Sequence, residues 1–210
     1  MGIPKFLIER YQFWKENTFE DYKNIYHQAS KTLQKPIAMI ITCCDSRILE
    51  NTIFGGEIGD YFIHRNIANI VPSINDYEHN IQTLSAIEYG LKVLEIPNLI
   101  ILGHSNCGGV EYSYKTLIDK KNKNKFEYIN KWLNCMNNSY NNIPNDLTEN
   151  EKITFFEKDN IKQSIRNLHQ YEFINKLINE NKLNVIGLWY QISSGLIKFL
   201  DSDYNFKDLN

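Results

Sequence analysis

Apolar positions along this chain follow two different periods, and the alternation between them predicts the fold. From Phe6 to Gln34, Phe6, Leu7, Phe13, Trp14, Phe19, Tyr22, Ile25 and Tyr26 recur at intervals near three and four among charged residues, the pattern of one or two amphipathic helices. Pro36 ends it and introduces Ile37-Ala38-Met39-Ile40-Ile41-Thr42, an unbroken apolar run typical of a strand buried on both faces. Tyr61-Phe62-Ile63-His64 and Asn98-Leu99-Ile100-Ile101-Leu102 predict a second and a third strand. Between those two, Leu84, Ile87, Leu91 and Leu94 return to the helical period, over a length that suits a crossover between parallel strands. A long helical stretch through Ile161, Ile165, Leu168 and Leu177 leads to a last strand over residues 183–189. This order predicts an α/β fold, a mostly parallel central sheet flanked by helices on both faces.

Residues 120–150 are polar, with a lysine-rich run at 120–125 and a short amphipathic helix marked by Phe126, Ile129, Leu133 and Met136. The lysine run reads as a solvated loop, since no aromatics interleave with it. At 210 residues with 23 basic and 25 acidic side chains, the chain fits one domain, residues 1–210: a helical arm over 1–35 and an α/β core over 36–210. Its net charge of -2 favours a small ligand over nucleic acid or an anionic membrane. Apolar runs are too short to cross a bilayer, and Met1-Gly2-Ile3-Pro4-Lys5 lacks the order of a signal peptide, so a cytoplasmic location is expected. Four cysteines are too few for a disulfide scaffold and point instead to metal ligation or a catalytic thiol.

Three of the candidate ligands fall where apolar strands end. Cys43 opens the run Cys43-Cys44-Asp45-Ser46-Arg47, and His104 and Cys107 stand in Gly103-His104-Ser105-Asn106-Cys107-Gly108-Gly109. In a parallel sheet the carboxyl ends of strands converge on one edge, so these segments are expected to meet. Two sulfurs and one nitrogen suit Zn²⁺ and leave its fourth tetrahedral position open, as in catalytic sites. With two thiolates and a neutral imidazole the ion carries no net charge, so a bound water is acidified less than on an all-histidine site. A nearby proton acceptor is therefore useful. Asp45 suits that role, and Arg47 can hold its carboxylate by a bidentate pair; without Arg47, Asp45 would be free to take the fourth position. The histidine's second partner cannot be read from sequence.

These residues resemble the β-class carbonic anhydrases. Cys43-Cys44-Asp45-Ser46-Arg47 matches the family's Cys-x-Asp-Ser-Arg, residues 103–109 match its Gly-His-x-x-Cys-Gly-Gly, and residues 59–69 resemble a third signature. With Ser85-Ala86-Ile87-Glu88-Tyr89 and the strand containing Trp189, the resemblance covers about residues 30–200. It implies one zinc per subunit held by Cys43, His104 and Cys107, and attack of zinc-bound hydroxide on CO2 to give bicarbonate. Asp45 would orient that hydroxide and relay its proton, anchored by Arg47. Similarity to the plant-like branch implies substrate contacts from Gln34, Phe62, Ile67, Tyr89 and Gly108, N-terminal helices packed on a partner subunit, and a homodimer or homotetramer joined through the sheet edge. Met39-Ile40-Ile41-Thr42 lacks the tryptophan of another branch's bicarbonate-binding regulatory pocket, so that inhibition is not expected. Val93 stands where some plant-like members have a shuttle histidine.

The remaining polar residues have plainer readings. Cys44 is expected to point opposite to Cys43 as a core thiol, and Cys135 to pack on a helical apolar face. His64 reads as a satisfied structural histidine, and Arg65 and Asn66 as either functional residues or part of a buried hydrogen-bond network behind the site. Alternatives to CO2 hydration are hydrolysis of carbon disulfide or carbonyl sulfide on the same scaffold, or zinc or bicarbonate binding without catalysis. A thiol redox protein fits less well, since no Cys-x-x-Cys is present.

Overall fold

The computed structural model describes residues 2–79, 81–119 and 126–209. The lysine run at 120–125 lies outside the described residues. In chain order the elements are α1 (Lys5–Asn17), α2 (Phe19–Ala29), β1 (Ala38–Cys43), α3 (Glu50–Phe54), β2 (Tyr61–Asn66), α4 (Ile81–Glu88) and β3 (Asn98–His104). They continue with α5 (Gly108–Ile118), α6 (Glu127–Leu133), α7 (Asn137–Asn141), α8 (Glu149–Leu168), α9 (Glu172–Asn179), β4 (Asn184–Tyr190), β5 (Ile197–Leu200) and β6 (Phe206–Asp208).

The strands form one sheet in the order β2-β1-β3-β4-β5-β6. The first four are parallel, and β5 and β6 add an antiparallel edge that the sequence pattern does not predict. All six residues of β1 are buried, and side-chain alternation divides them between two layers. Met39 and Ile41 pack with Ile87, Leu91, Ile161 and Ile165 on one face, while Ile40 packs with Ile48, Leu102 and Leu188 on the other. Each face of β1 therefore has its own apolar cover, which is why the run is unbroken.

The helix expected over 81–94 changes form at Tyr89, where residues 89–93 make a π turn and the Leu94 N–H donates to the Tyr89 carbonyl at 3.1 Å. The long helical stretch expected near the C-terminus divides into α8 and α9 at residues 169–171. α8 begins with a capping box, Thr148 with Glu151, and packs on β3 and β4. The N-terminal arm departs most from an ordinary core element. Helices α1 and α2 touch one another through Trp14, Phe19 and Tyr26, yet neither contains a buried residue. Phe6, Leu7, Tyr11 and Phe13 are exposed.

Candidate metal centre

Strand register brings the two motifs together. β1 lies beside β3, with Thr42 opposite Leu102, so the chain leaves both strands at the same edge, through Cys43 and His104. The three ligand atoms of Cys43, His104 and Cys107 all lie within 4.8 Å of one another, and all three residues are buried. The two Sγ atoms are 3.8 Å apart, the separation expected, about 3.8 Å, for two thiolates on a tetrahedral zinc. The imidazole is equally specific. Its Nδ1 lies 2.9 Å from the Ser105 carbonyl, which can only accept, so Nδ1 carries the proton. Nε2 then presents a lone pair, and it is buried without a protein partner. A buried acceptor facing two thiols is what a soft divalent cation satisfies, and the donor set fits zinc. The hydrogen bond with Cys107 lowers the Cys43 pKa, against the opposing effect of burial, in the direction of the thiolate form that binds metal.

Asp45 and Arg47 flank this trio. Arg47 Nε donates to Asp45 Oδ1 at 2.9 Å and Nη2 to Oδ2 at 2.6 Å, and the Arg47 backbone N–H adds a third bond at 3.0 Å. Hydrogen bonding from Arg47 holds the Asp45 carboxyl well below the usual carboxylate range. Asp45 Oδ2 stands 3.9 Å from His104 Nε2, beside the ligands and with both oxygens engaged. Arg47 Nη2 also donates to the Asn106 carbonyl at 2.9 Å, tying the first motif to the second.

Behind the trio, the Arg65 guanidinium donates to the carbonyls of Cys43, Asp45 and Ile48 at 3.0, 2.8 and 2.9 Å and pairs with buried Glu50. This is the expected network, and it fixes the curve of the chain from Cys43 to Ile48. Asn66 braces the following turn through Ile70, whose N–H donates to its Oδ1 at 2.8 Å. His64 Nε2 meets the Thr83 hydroxyl at 3.1 Å, and burial lowers its pKa, as befits a structural histidine. Cys135 packs, half-buried, with Leu133 and Met136.

Cys44 is a correction. It is exposed and no core thiol. The alternation that buries Cys43 turns Cys44 the other way, and that side is a groove of about 480 Å³ shared with Asn66, Ile67, Tyr128, Ile129 and Trp132, not a packed layer.

The expected substrate contacts divide into two groups. Ile67 and Gly108 lie by the second motif: Gly108 follows Cys107 directly, with nothing within 4 Å of an added Cβ, and a Cβ on Gly109 would come within 2.6 Å of Ile67 Cγ2. Gln34, Phe62 and Tyr89 lie elsewhere in the chain. Phe62 is opposite Met39, whereas Asn66 is opposite Cys43, so four positions of strand, about 13 Å, separate Phe62 from the site. Tyr89 packs on Phe62 at 5.9 Å, and exposed Gln34 precedes β1.

Glu157 escaped the sequence reading. It is 3% exposed, accepts the Cys107 N–H at 3.1 Å and the Trp189 indole N–H at 3.2 Å, and is pushed up by burial. One signal was present: Glu157 continues the spacing of Ile161, Ile165 and Leu168 and so belongs to the buried face of α8.

Comparison with known proteins agrees with this geometry. The family model described as "Carbonic anhydrase" matches residues 38–197. A carbonic anhydrase of Helicobacter pylori strain J99 is 31% identical over 200 residues, covering 92% of this chain and 87% of its own. The β-carbonic anhydrase CcaA superposes with a TM-score of 0.91 at 28% identity, over 98% of this chain and 92% of that one. A structure described among two tetrameric β-carbonic anhydrases of Sordaria macrospora gives a TM-score of 0.80 at 28% identity, over 93% and 95%. A buried Cys-His-Cys trio at the convergent ends of β1 and β3, a carboxylate of Asp45 held beside it, and a family match over residues 38–197 together place this chain in the β-class carbonic anhydrases.

Proposed function

We propose that this chain catalyses the zinc-dependent, reversible hydration of CO2 to bicarbonate and a proton, with Cys43, His104 and Cys107 as the zinc ligands. The observation that carries this is the orphaned His104 Nε2, buried beside two sulfurs 3.8 Å apart with Asp45 held ionised next to them. Bound zinc would supply the Lewis acid that makes water nucleophilic near neutral pH. The chain's own residues do the rest. Asp45 accepts and orients a proton beside the ligands, and Arg47 keeps that carboxylate charged and away from the metal's open position. Ile67 sets an apolar side chain beside Gly109 of the second motif, in keeping with a substrate that has no net charge or dipole.

Gln34, Phe62 and Tyr89 serve the same reaction from a second copy of the chain. Phe62 lies about 13 Å along the strand from the ligand end of its own chain, with Tyr89 packed on it, and β2, which carries Phe62, is the free edge of the parallel sheet; exposed Gln34 precedes the neighbouring β1. A twofold axis perpendicular to β2 at that edge would set the two copies of β2 antiparallel and carry one chain's Phe62 and Tyr89 towards the other's zinc. The uncovered aromatic faces of α1 and α2 fit an arm lying on the same partner, in a homodimer or homotetramer. The relatives from Sordaria macrospora are described as tetrameric. We place the protein in the cytoplasm as one domain, with residues 1–35 as the arm; no helix among the described residues is long and apolar enough to cross a membrane.

The test is zinc content together with stopped-flow CO2 hydration on the purified protein. Hydration that vanishes on chelation and returns with zinc supports the proposal. Zinc binding without hydration would reduce the chain to a binder, and sulfide release from carbon disulfide or carbonyl sulfide in place of CO2 turnover would redirect it to the alternative hydrolase. For the shared site, Gln34→Ala and Asp45→Asn chains are co-assembled. Random pairing makes half the dimers mixed, each with one intact site, so about a quarter of wild-type activity is expected. No recovery above either parent would place each site within a single chain.

A further inference from the structure

The peptide unit joining Asn106 to Cys107 is gripped at both ends by charges of opposite sign. Its carbonyl oxygen accepts from Arg47 Nη2 at 2.9 Å, and its N–H donates to Glu157 Oε1 at 3.1 Å. Each charge faces the end of the peptide dipole that it attracts. Asn106 carries a φ of 55°, a left-handed conformation that asparagine tolerates better than most residues but that is adopted at some cost. It is in this turn that Cys107 is aimed at the site, one residue before α5 begins.

We infer that Glu157 is a positioning residue for Cys107, holding the Asn106–Cys107 peptide from behind while Arg47 holds it from the front, so that the thiolate meets the metal in one orientation. The inference rests on the zinc site proposed above. Three features support it. The carboxylate reaches the ligand turn from α8, an element that contributes no ligand, and so anchors the turn to the largest helix packed on β3 and β4. Its second oxygen accepts the Trp189 indole at 3.2 Å, and the Lys158 ammonium stands 4.4 Å over that indole ring, so the anchor is itself fixed. Finally, two N–H donors converge on one buried group, and a carboxylate can accept both, whereas an amide must turn its own donor toward one of them.

Glu157→Gln and Glu157→Ala are the test, read on the full chain with zinc and with cobalt in its place. Zinc affinity by chelator competition should fall about ten- to a hundred-fold, less in Glu157→Gln, which keeps one acceptor. The rise in melting temperature on zinc loading should shrink accordingly, and the thiolate-to-cobalt charge-transfer band should shift as the sulfur geometry relaxes. A residue that only ties α8 to the sheet would behave differently: melting temperature without metal would fall, while zinc affinity and the cobalt band stayed at wild-type values, and that result overturns the inference. Should Glu157→Ala not fold, Glu157→Gln preserves side-chain volume and decides alone. Wild-type protein that fails to bind zinc would undo the proposed function, whereas tight binding by wild type and variants alike undoes only the role of Glu157.

Discussion

Replacing Asp45 by asparagine separates metal binding from proton handling. Asp45 Oδ1 receives two hydrogen bonds from Arg47, at 2.9 and 3.0 Å, and Oδ2 receives a third at 2.6 Å. An asparagine keeps an acceptor on only one of those positions, and its NH2 must face an Arg47 donor at the other, so the side chain loses both its charge and its aim. The fold should tolerate this, since the Arg47 side chain is 49% exposed and can turn to water. Zinc should stay bound, because Asp45 is not among the three ligands. Loss of a positioned proton acceptor lowers turnover about 10²- to 10⁴-fold, equivalent to raising the barrier by about 2.7–5.5 kcal/mol. The assay is stopped-flow hydration with an indicator, alongside zinc content and a thermal melt on the same sample. A folded, fully zinc-loaded Asp45→Asn protein that hydrates CO2 within about threefold of wild type would refute the proton role of Asp45, since a general-acid–base contribution is larger than that.

Other perturbations have equally definite outcomes. Cys107→Ser should lose zinc and hydration together, measured by metal analysis and stopped flow; retention of stoichiometric zinc would remove Cys107 from the ligand set. Gly109→Ala sets a Cβ 2.6 Å from Ile67 Cγ2 and 3.3 Å from Ala68 Cβ, an overpacking that should cost about 1–3 kcal/mol by urea denaturation; an unchanged midpoint would mean that the loop at residues 67–69 yields freely. Tyr171 donates to the Pro72 carbonyl at 3.0 Å and is pushed up to about 12 by burial. Its folded pKa lies above the unfolded value, so its stabilisation is complete below about pH 10 and is lost as pH rises through 12. Between pH 9 and 11 the urea midpoint of wild type should therefore fall more steeply than that of Tyr171→Phe, and parallel slopes would contradict the assignment.

The centre of the parallel core was legible because β1 is covered on both sides. Met39 and Ile41 need one layer and Ile40 another, and no sequence period other than a continuous apolar run meets that demand. The edge hairpin of β5 and β6 was not legible, since a half-exposed edge mixes Lys198 and Lys207 with Phe199 and Phe206. In the metal centre, ligand identity was carried by residue chemistry and strand ends. The supports were not: the partner of His104 is a backbone carbonyl, which leaves no mark in sequence, and Glu157 lies fifty residues beyond Cys107 on a separate helix. Cys44 shows the limit of alternation, which gives a side chain's direction but not what lies in that direction. For Gln34, Phe62 and Tyr89, similarity supplied the residue types, and the strand register supplied the distance of Phe62 from the ligands of its own chain.

The most direct measurement is CO2 hydration followed across pH on protein of known zinc content, before chelation, after it, and after zinc is restored. The prediction is one zinc per chain, hydration that disappears with the metal and returns with it, and no loss of activity from protonation of Asp45 anywhere above the usual carboxylate range, because Arg47 holds that carboxyl below it. Stoichiometric zinc with no hydration at any pH, or hydration that survives removal of the metal, would contradict the assignment of Cys43, His104 and Cys107 as a catalytic zinc site.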